Sequence, residues 1–230
     1  MINGKQCTIV FYIDDNKISH VYKDVVTDIL NQISARFGDL TVSRGNIHDF
    51  LGMKIEVKDK VVNISMKDQV KEAIEWGGTQ SGRKPVTPAS SNLFEKSEPP
   101  KFLLPDESDS FHSVVQKLLY IYKRARPDIE PALSFLCTRV SKPTSDDREK
   151  LNRVLDYLSD TIDDVRTIGA DGLDTLYKWV EASYAVHRNM RSQSKQKLNI
   201  KSSTEAELLA VSDYLPYHIS MIIFFEIPRI

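Results

Sequence analysis

Two adjacent carboxylates, Asp14 and Asp15, lie between two stretches rich in β-branched and aromatic residues, CTIVFYI at 7–13 and KISHVY at 17–22. Such stretches around an Asp-Asp-Asn turn predict a β-hairpin with the acids at its tip. Mg²⁺ prefers oxygen ligands and is commonly held by one or two protein carboxylates together with substrate phosphates. Two-metal nucleotidyl transfer would need a third carboxylate from another strand. The pattern therefore favours either a metal-dependent phosphoryl-transfer site or an ordinary structural turn.

A helix must follow and support this hairpin. Apolar residues recur at three- and four-residue steps from Val26 to Phe37, which predicts one amphipathic helix. Asp24 is the expected N-cap, and Gly38 is the expected residue just beyond the C-terminus.

A second hairpin is predicted from the strand-like segments at 49–57 and 61–66. Ser65 and Asp68 then fit a capping box for a short helix that ends at Gly77.

The chain changes character over residues 77–110, which hold five of the ten prolines. A loop of that length is uncommon inside a compact domain and predicts a linker or an extended arm. Residues 111–160 carry helical apolar stripes, and Thr144 with Asp147 fits a capping box for the last helix. Farther on, residues 176–187 predict a strand and residues 204–215 predict a helix.

The order of these motifs resembles that of the reverse transcriptases of copia-type LTR retrotransposons. YIDD at 12–15 resembles their YVDD box, and FLGMKIE at 50–56 resembles their FLG-x-x-I strand at the primer grip. Residues 117–158 are similar to their connection region. VEASYAVHRNMRS at 180–192 and KSSTEAELLAVSDYLP at 201–216 are similar to their ribonuclease H part. The resemblance covers nearly the whole chain.

The resemblance implies two carboxylate sites and Mg²⁺ as the cofactor. Asp14 and Asp15 would be catalytic in the polymerase part, and Glu181 and Glu207 in the ribonuclease H part. The metal ligands would be Asp14, Asp15 and Glu207. Glu181 stands where the family has Asp, and the extra methylene would displace its carboxylate by roughly 1 Å.

The resemblance also implies an RNA/DNA template–primer as partner, together with the remainder of the Pol polyprotein. The stretch at 188–201 contains basic but no acidic residues and could track phosphates, with a solvated loop as the equal alternative. The expected nucleic-acid-binding residues are Tyr12, Arg188, Arg191, Lys195 and Lys197.

Two departures from the family pattern predict lost activity. The chain begins eleven residues before Tyr12, so the fingers and the upstream carboxylate of the family are expected to be missing. A Gly-rich strand of the family's ribonuclease H part has no counterpart after Ser192. We therefore expect weak or absent Mg²⁺ binding and no polymerase activity in the isolated chain.

The expected fold class is α+β: a partial reverse-transcriptase palm of β-hairpins plus a helix, a helical connection region and an incomplete ribonuclease H-like end. The expected divisions are 1–76 for the C-terminal half of the palm, 77–110 for a Pro-rich linker or arm, 111–168 for a helical thumb or connection region, and 169–230 for a truncated ribonuclease H-like region.

Composition limits the alternatives. The chain is 41% hydrophobic and 27% charged with a net charge of −1, which disfavours wholesale disorder and any global attraction to nucleic acid. The longest apolar run, 219–227, is too short to span a bilayer, so no membrane partner is expected. The N-terminus lacks a signal peptide, and an intracellular location is expected, cytoplasmic (particle-associated in the family) or nuclear. A non-catalytic nucleic-acid-binding remnant and an α+β interaction module remain the alternative functions.

Overall fold

The computed structural model describes residues 1–13, 15–58, 61–78 and 82–169. They form a mixed α and β fold, with two antiparallel sheets and five α-helices in this part of the chain. Two compact units can be distinguished: residues 1–63 with 167–169, and residues 64–166. The predicted strand at 176–187 and helix at 204–215 lie outside the described residues, and the predicted domain divisions stay predictions.

The first unit is built mainly of strands around one helix. Its elements are β1 (Thr8–Tyr12), β2 (Asp15–Ser19), α1 (Lys23–Phe37), β3 (Ile47–Phe50), β4 (Met53–Lys58), β5 (Val61–Ser65) and β6 (Arg166–Gly169). Strands β1 and β2 form a two-stranded sheet, and the other four are ordered β3-β4-β5-β6. The chain passes between the two units within β5 and within β6.

The first hairpin is confirmed, but its turn is shorter than predicted. Tyr12 pairs with Asp15, and Phe11 pairs with Asn16. Asp15 and Asn16 therefore belong to β2 and not to the turn. Ile13 has a φ of 52°, in the left-handed region. A positive φ in a short hairpin connection matches the right-handed twist of paired strands.

Strands β3 and β4 form a hairpin whose turn was not predicted, because it lies inside an apolar run. β3 and β4 pair antiparallel, with Phe50 opposite Met53, and Leu51 and Gly52 form the connection. Both connecting residues have positive φ, 52° and 69°. The segment predicted as one strand over 49–57 is therefore two strands, because the FLG motif is a hairpin tip.

The ends of α1 are only partly as predicted. Gly38 follows the last helical residue with a φ of 95°, and its N–H donates to the carbonyl of Ser34 at 2.9 Å. Asp24 is not the N-cap, since Tyr22 occupies that position without a side-chain cap. Asp24 instead lies in the first turn, where a negative charge is favoured by the helix dipole.

The second unit is a helical cluster. It contains α2 (Lys67–Gly77), α3 (Pro105–Arg124), a short 3-10 turn (Pro127–Ile129), α4 (Glu130–Cys137) and α5 (Ser145–Asp160). Helix α3 therefore begins earlier than the predicted residue 111. The largest fully buried side chains all come from this unit: Phe111, Leu118, Ile121, Ile129, Leu133, Leu136, Leu151, Leu155 and Leu158.

One of the two predicted capping boxes in this unit is confirmed. Thr144 precedes α5, its N–H donates to Asp147 Oδ2 at 2.8 Å, and the Asp147 N–H donates back to Thr144 Oγ1 at 3.4 Å. The box predicted from Ser65 and Asp68 is wrong. Ser65 ends strand β5, and Met66 precedes α2 without a side-chain cap.

The proline-rich segment, residues 82–104, follows the surface of α5. Lys84 pairs with Asp160 at 2.8 Å, and the Ser97 N–H donates to Asp146 Oδ2 at 2.8 Å. Leu93 is buried. These contacts hold the segment against the helix, so it is an arm packed within the second unit.

Candidate functional site

The tip of the first hairpin, at Asp15, contacts the tip of the β3–β4 hairpin, at Leu51. Asp15 lies exposed at the start of β2, and its Oδ2 accepts a long hydrogen bond of 3.4 Å from the Leu51 N–H. The YIDD and FLG motifs, well separated in sequence, are thus brought together in the first unit. Among the predicted metal ligands, Asp15 lies within the described residues, and its side chain is on the surface.

The side chains around Asp15 are apolar and exposed. Tyr12 is directly opposite Asp15 in the strand pair, and Ile13 beside it is 86% exposed. Phe11 and Ile9, one and three residues before Tyr12, are also exposed. Tyr12 and Asp15 share one face of the hairpin, whereas Phe11 and Ile9 lie on the other, so the Tyr12–Asp15 face could meet both a cation and the bases of a nucleic acid.

The other predicted site residues cannot be placed. The residues outside the described part of the chain are Asp14, Glu181, Glu207, Arg188, Arg191, Lys195 and Lys197.

The donor chemistry at the tip suits a hard cation only in part. A carboxylate oxygen is the ligand type that Mg²⁺ prefers, and Asp15 supplies one in an exposed position. Among the residues that the structure describes, however, no three His, Cys, Asp or Glu side chains lie together in a metal-binding group. A complete site would have to draw Asp14 and further ligands from outside that part.

Two cation–aromatic pairs on α2 and α3 were not foreseen. The Lys117 Nζ lies 3.7 Å from the centre of the Trp76 ring, and the Arg124 guanidinium lies 3.6 Å from that of Tyr120. Trp76 is 56% exposed, so it is not a core residue. The available signal was the spacing of Lys117, Tyr120 and Arg124, which places them on one face of α3.

Arg126, which follows α3, is a buried residue. It is 3% exposed and forms an ion pair with Asp128 at 2.7 Å. Burial by itself would raise the pKa of Asp128, but hydrogen bonds from Arg126 and its charge hold that pKa below its ordinary value. The ion pair of Arg126 and Asp128 therefore stabilises the fold.

A groove separates the proline-rich segment from α5. Its volume is about 770 Å³, and its walls carry charges of both signs, including Arg83, Lys84 and Arg153 against Glu149 and Asp156. All of these residues belong to the second unit.

No helix in the described residues is both long and apolar enough to cross a membrane.

The relatives found by comparison with known proteins include two from Arabidopsis thaliana. The chain is 29% identical over 154 residues to the "Uncharacterized mitochondrial protein AtMg00810", an alignment that covers 67% of this chain and 62% of that protein. It is 24% identical over 228 residues to the "Retrovirus-related Pol polyprotein from transposon RE2", covering 89% of this chain and 15% of the polyprotein. The chain thus spans less than two thirds of either relative.

No family model and no solved structure matches the chain. The similarity that extends over most of its length relates the chain to a retrotransposon Pol polyprotein.

Proposed function

We propose that this chain derives from the reverse-transcriptase and ribonuclease H parts of a copia-type Pol polyprotein. The first unit would be a portion of the polymerase palm, and its first hairpin the former magnesium-binding turn. The activity of the ancestral protein would be RNA-directed DNA synthesis with removal of the RNA strand.

The observation that carries this proposal is the contact between Asp15 and Leu51. An acidic hairpin tip and an FLG turn, thirty-six residues apart, share a hydrogen bond of 3.4 Å. The same two motifs led to the resemblance, and the similarity to a Pol polyprotein over most of the chain agrees with it.

Each predicted residue has a role under this proposal. Asp14 and Asp15 would hold Mg²⁺, which when bound activates a primer hydroxyl and stabilises the leaving pyrophosphate. Tyr12, opposite Asp15, would face the template–primer. Glu181 and Glu207 would belong to the ribonuclease H site, and the basic residues between 188 and 197 would contact phosphates.

We further propose that the isolated chain does not catalyse. Two neighbouring carboxylates on one turn bind Mg²⁺ weakly without a third from another strand. Activity would then require a third carboxylate from elsewhere in the Pol polyprotein.

Metal binding and primer extension test the proposal on the full chain. Mn²⁺, read by electron paramagnetic resonance, serves as the probe for the magnesium site. We expect weak binding that Asp14→Asn and Asp15→Asn each reduce, whereas Asp24→Asn in α1 leaves it unchanged. Equal binding by all four proteins would refute the metal role, and primer extension by the wild type that Asp14→Asn abolishes would refute the claim of inactivity.

A non-catalytic nucleic-acid-binding function is the second candidate. The pairs Lys117–Trp76 and Arg124–Tyr120 favour it, because exposed aromatic rings beside cations can stack on unpaired bases. Binding of labelled single-stranded RNA should weaken steeply as salt rises, and Lys117→Ala should reduce it. Lys195→Ala with Lys197→Ala should reduce it further. If neither salt nor these changes affect binding, an interaction module with a structural acidic turn is the better interpretation.

A further inference from the structure

Thr87 is an exposed residue followed directly by proline. The dipeptide Thr87-Pro88 is the single Ser/Thr-Pro pair in the 230-residue sequence. A residue before proline is confined to extended backbone conformations, so this threonine is presented on an extended stretch of the proline-rich segment. Its neighbour Val86 is among the most exposed apolar residues of the described chain.

An arginine from α5 lies against this threonine. Arg153 Nε donates to the Thr87 carbonyl at 3.2 Å, and Arg153 Nη2 lies 3.4 Å from Thr87 Oγ1. The hydroxyl itself donates to the Ala89 carbonyl at 2.7 Å. A guanidinium is therefore already positioned at the oxygen atom that a modification would extend.

We propose that Thr87 is a phosphorylation site for a proline-directed protein kinase, and that Arg153 binds the resulting phosphate. In the transfer, Thr87 Oγ1 forms a bond to the γ-phosphorus of ATP. The bond from that phosphorus to the β–γ bridging oxygen breaks, ADP leaves, and the hydroxyl proton passes to a base of the kinase.

The charges around the site decide where the phosphate would lie. A phosphothreonine carries about −1.5 to −2 charges at pH 7 and pairs favourably with arginine. The groove beside Arg153 is lined by charges of both signs, Arg83 and Lys84 as well as Glu149 and Asp156, and Arg153 is the cation that already contacts Thr87. The new ion pair would tie the proline-rich segment more firmly to α5.

Phosphorylation of the full chain by two unrelated proline-directed kinases, followed by peptide mass spectrometry, tests the site. We expect one phosphoryl group on Thr87 and none in Thr87→Ala. No incorporation by either kinase, or incorporation only at other residues, would overturn the proposal.

Phosphorus-31 NMR of the modified protein tests the role of Arg153. A guanidinium in contact with the phosphate should hold its second pKa below the usual value of about 6. Arg153→Gln should return that pKa to about 6, while Arg36→Gln in α1 should leave it low. Arg153→Gln should still be phosphorylated, and circular dichroism should show that it is folded. A second pKa of the phosphate that is the same in wild type and Arg153→Gln would refute the assigned contact.

Discussion

Arg126 and Asp128 form a forked ion pair across Pro127. The Arg126 Nε lies 3.0 Å from Asp128 Oδ1, and Nη2 lies 2.7 Å from Oδ2. The same guanidinium donates to the Thr161 carbonyl at 2.9 Å, and the Tyr157 hydroxyl donates to Asp128 Oδ2 at 2.9 Å. The pair therefore joins the turn after α3 to the C-terminal end of α5.

Asp128→Asn should destabilise the protein by about 2–3 kcal/mol, because it leaves a buried guanidinium without its countercharge. The loss should be smaller than for a fully buried pair, since the Asp128 side chain is 35% exposed. Urea unfolding measures the change. Asp68→Asn is the control, because Asp68 is 91% exposed and its pairing with Lys71 spans 3.9 Å. Equal effects of the two substitutions would contradict the structural role of the pair.

The same carboxylate predicts a dependence of stability on pH. Burial raises the pKa of Asp128, but Arg126 lowers it by more, so the net pKa lies below its ordinary value. A lowered folded-state pKa contributes stability that is present above the unfolded pKa and lost as pH falls through the folded pKa. The difference in unfolding free energy between wild type and Asp128→Asn should therefore shrink from roughly pH 4 downwards. A difference that stays constant from about pH 6 to about pH 2.5 would show that the stability contributed by the Arg126–Asp128 pair does not depend on the charge of Asp128.

Gly77→Ala should disrupt the contact of α2 with α5. A Cβ at position 77 would lie 2.2 Å from Leu155 Cδ1, and Leu155 is fully buried. Overpacking of this kind costs about 1–3 kcal/mol. Gly169→Ala is the matched control, since the added methyl would meet only Val61 at 3.8 Å. Thermal unfolding should distinguish the two, and a Gly77→Ala protein as stable as the control would contradict this packing.

Leu51→Asn should stabilise the β3–β4 hairpin. Leu51 has a φ of 52°, a region that disfavours leucine but accepts asparagine, and it precedes Gly52 with a φ of 69°. Asn-Gly is the preferred pair for a two-residue turn with positive φ at both positions. We expect a gain of about 0.5–1 kcal/mol in unfolding free energy. Leu51→Val should move stability in the opposite direction, and a loss in both variants would mean that leucine makes a contact worth more than the strain.

Several elements could be predicted because their signals are local. The capping box of Thr144 and Asp147, the helix end at Gly38 and the first hairpin each depend on residues within a few positions of one another. Failures occurred where two local signals competed. At Leu51 the apolar run favoured a continuous strand, and nothing in the residue types marks the turn except the glycine that follows.

The candidate site was predicted in its parts but not in its arrangement. The sequence by itself determined that two acids follow Tyr12 at a hairpin tip, because turn preferences and alternating apolar residues act over short distances. Only the tertiary structure decided that Asp15 meets Leu51, that Arg126 is buried and that Arg153 faces Thr87. The contacts of Asp15 with Leu51 and of Arg153 with Thr87 join residues far apart along the chain. The packing of whole elements sets the distances between these residues, and no local pattern encodes that packing.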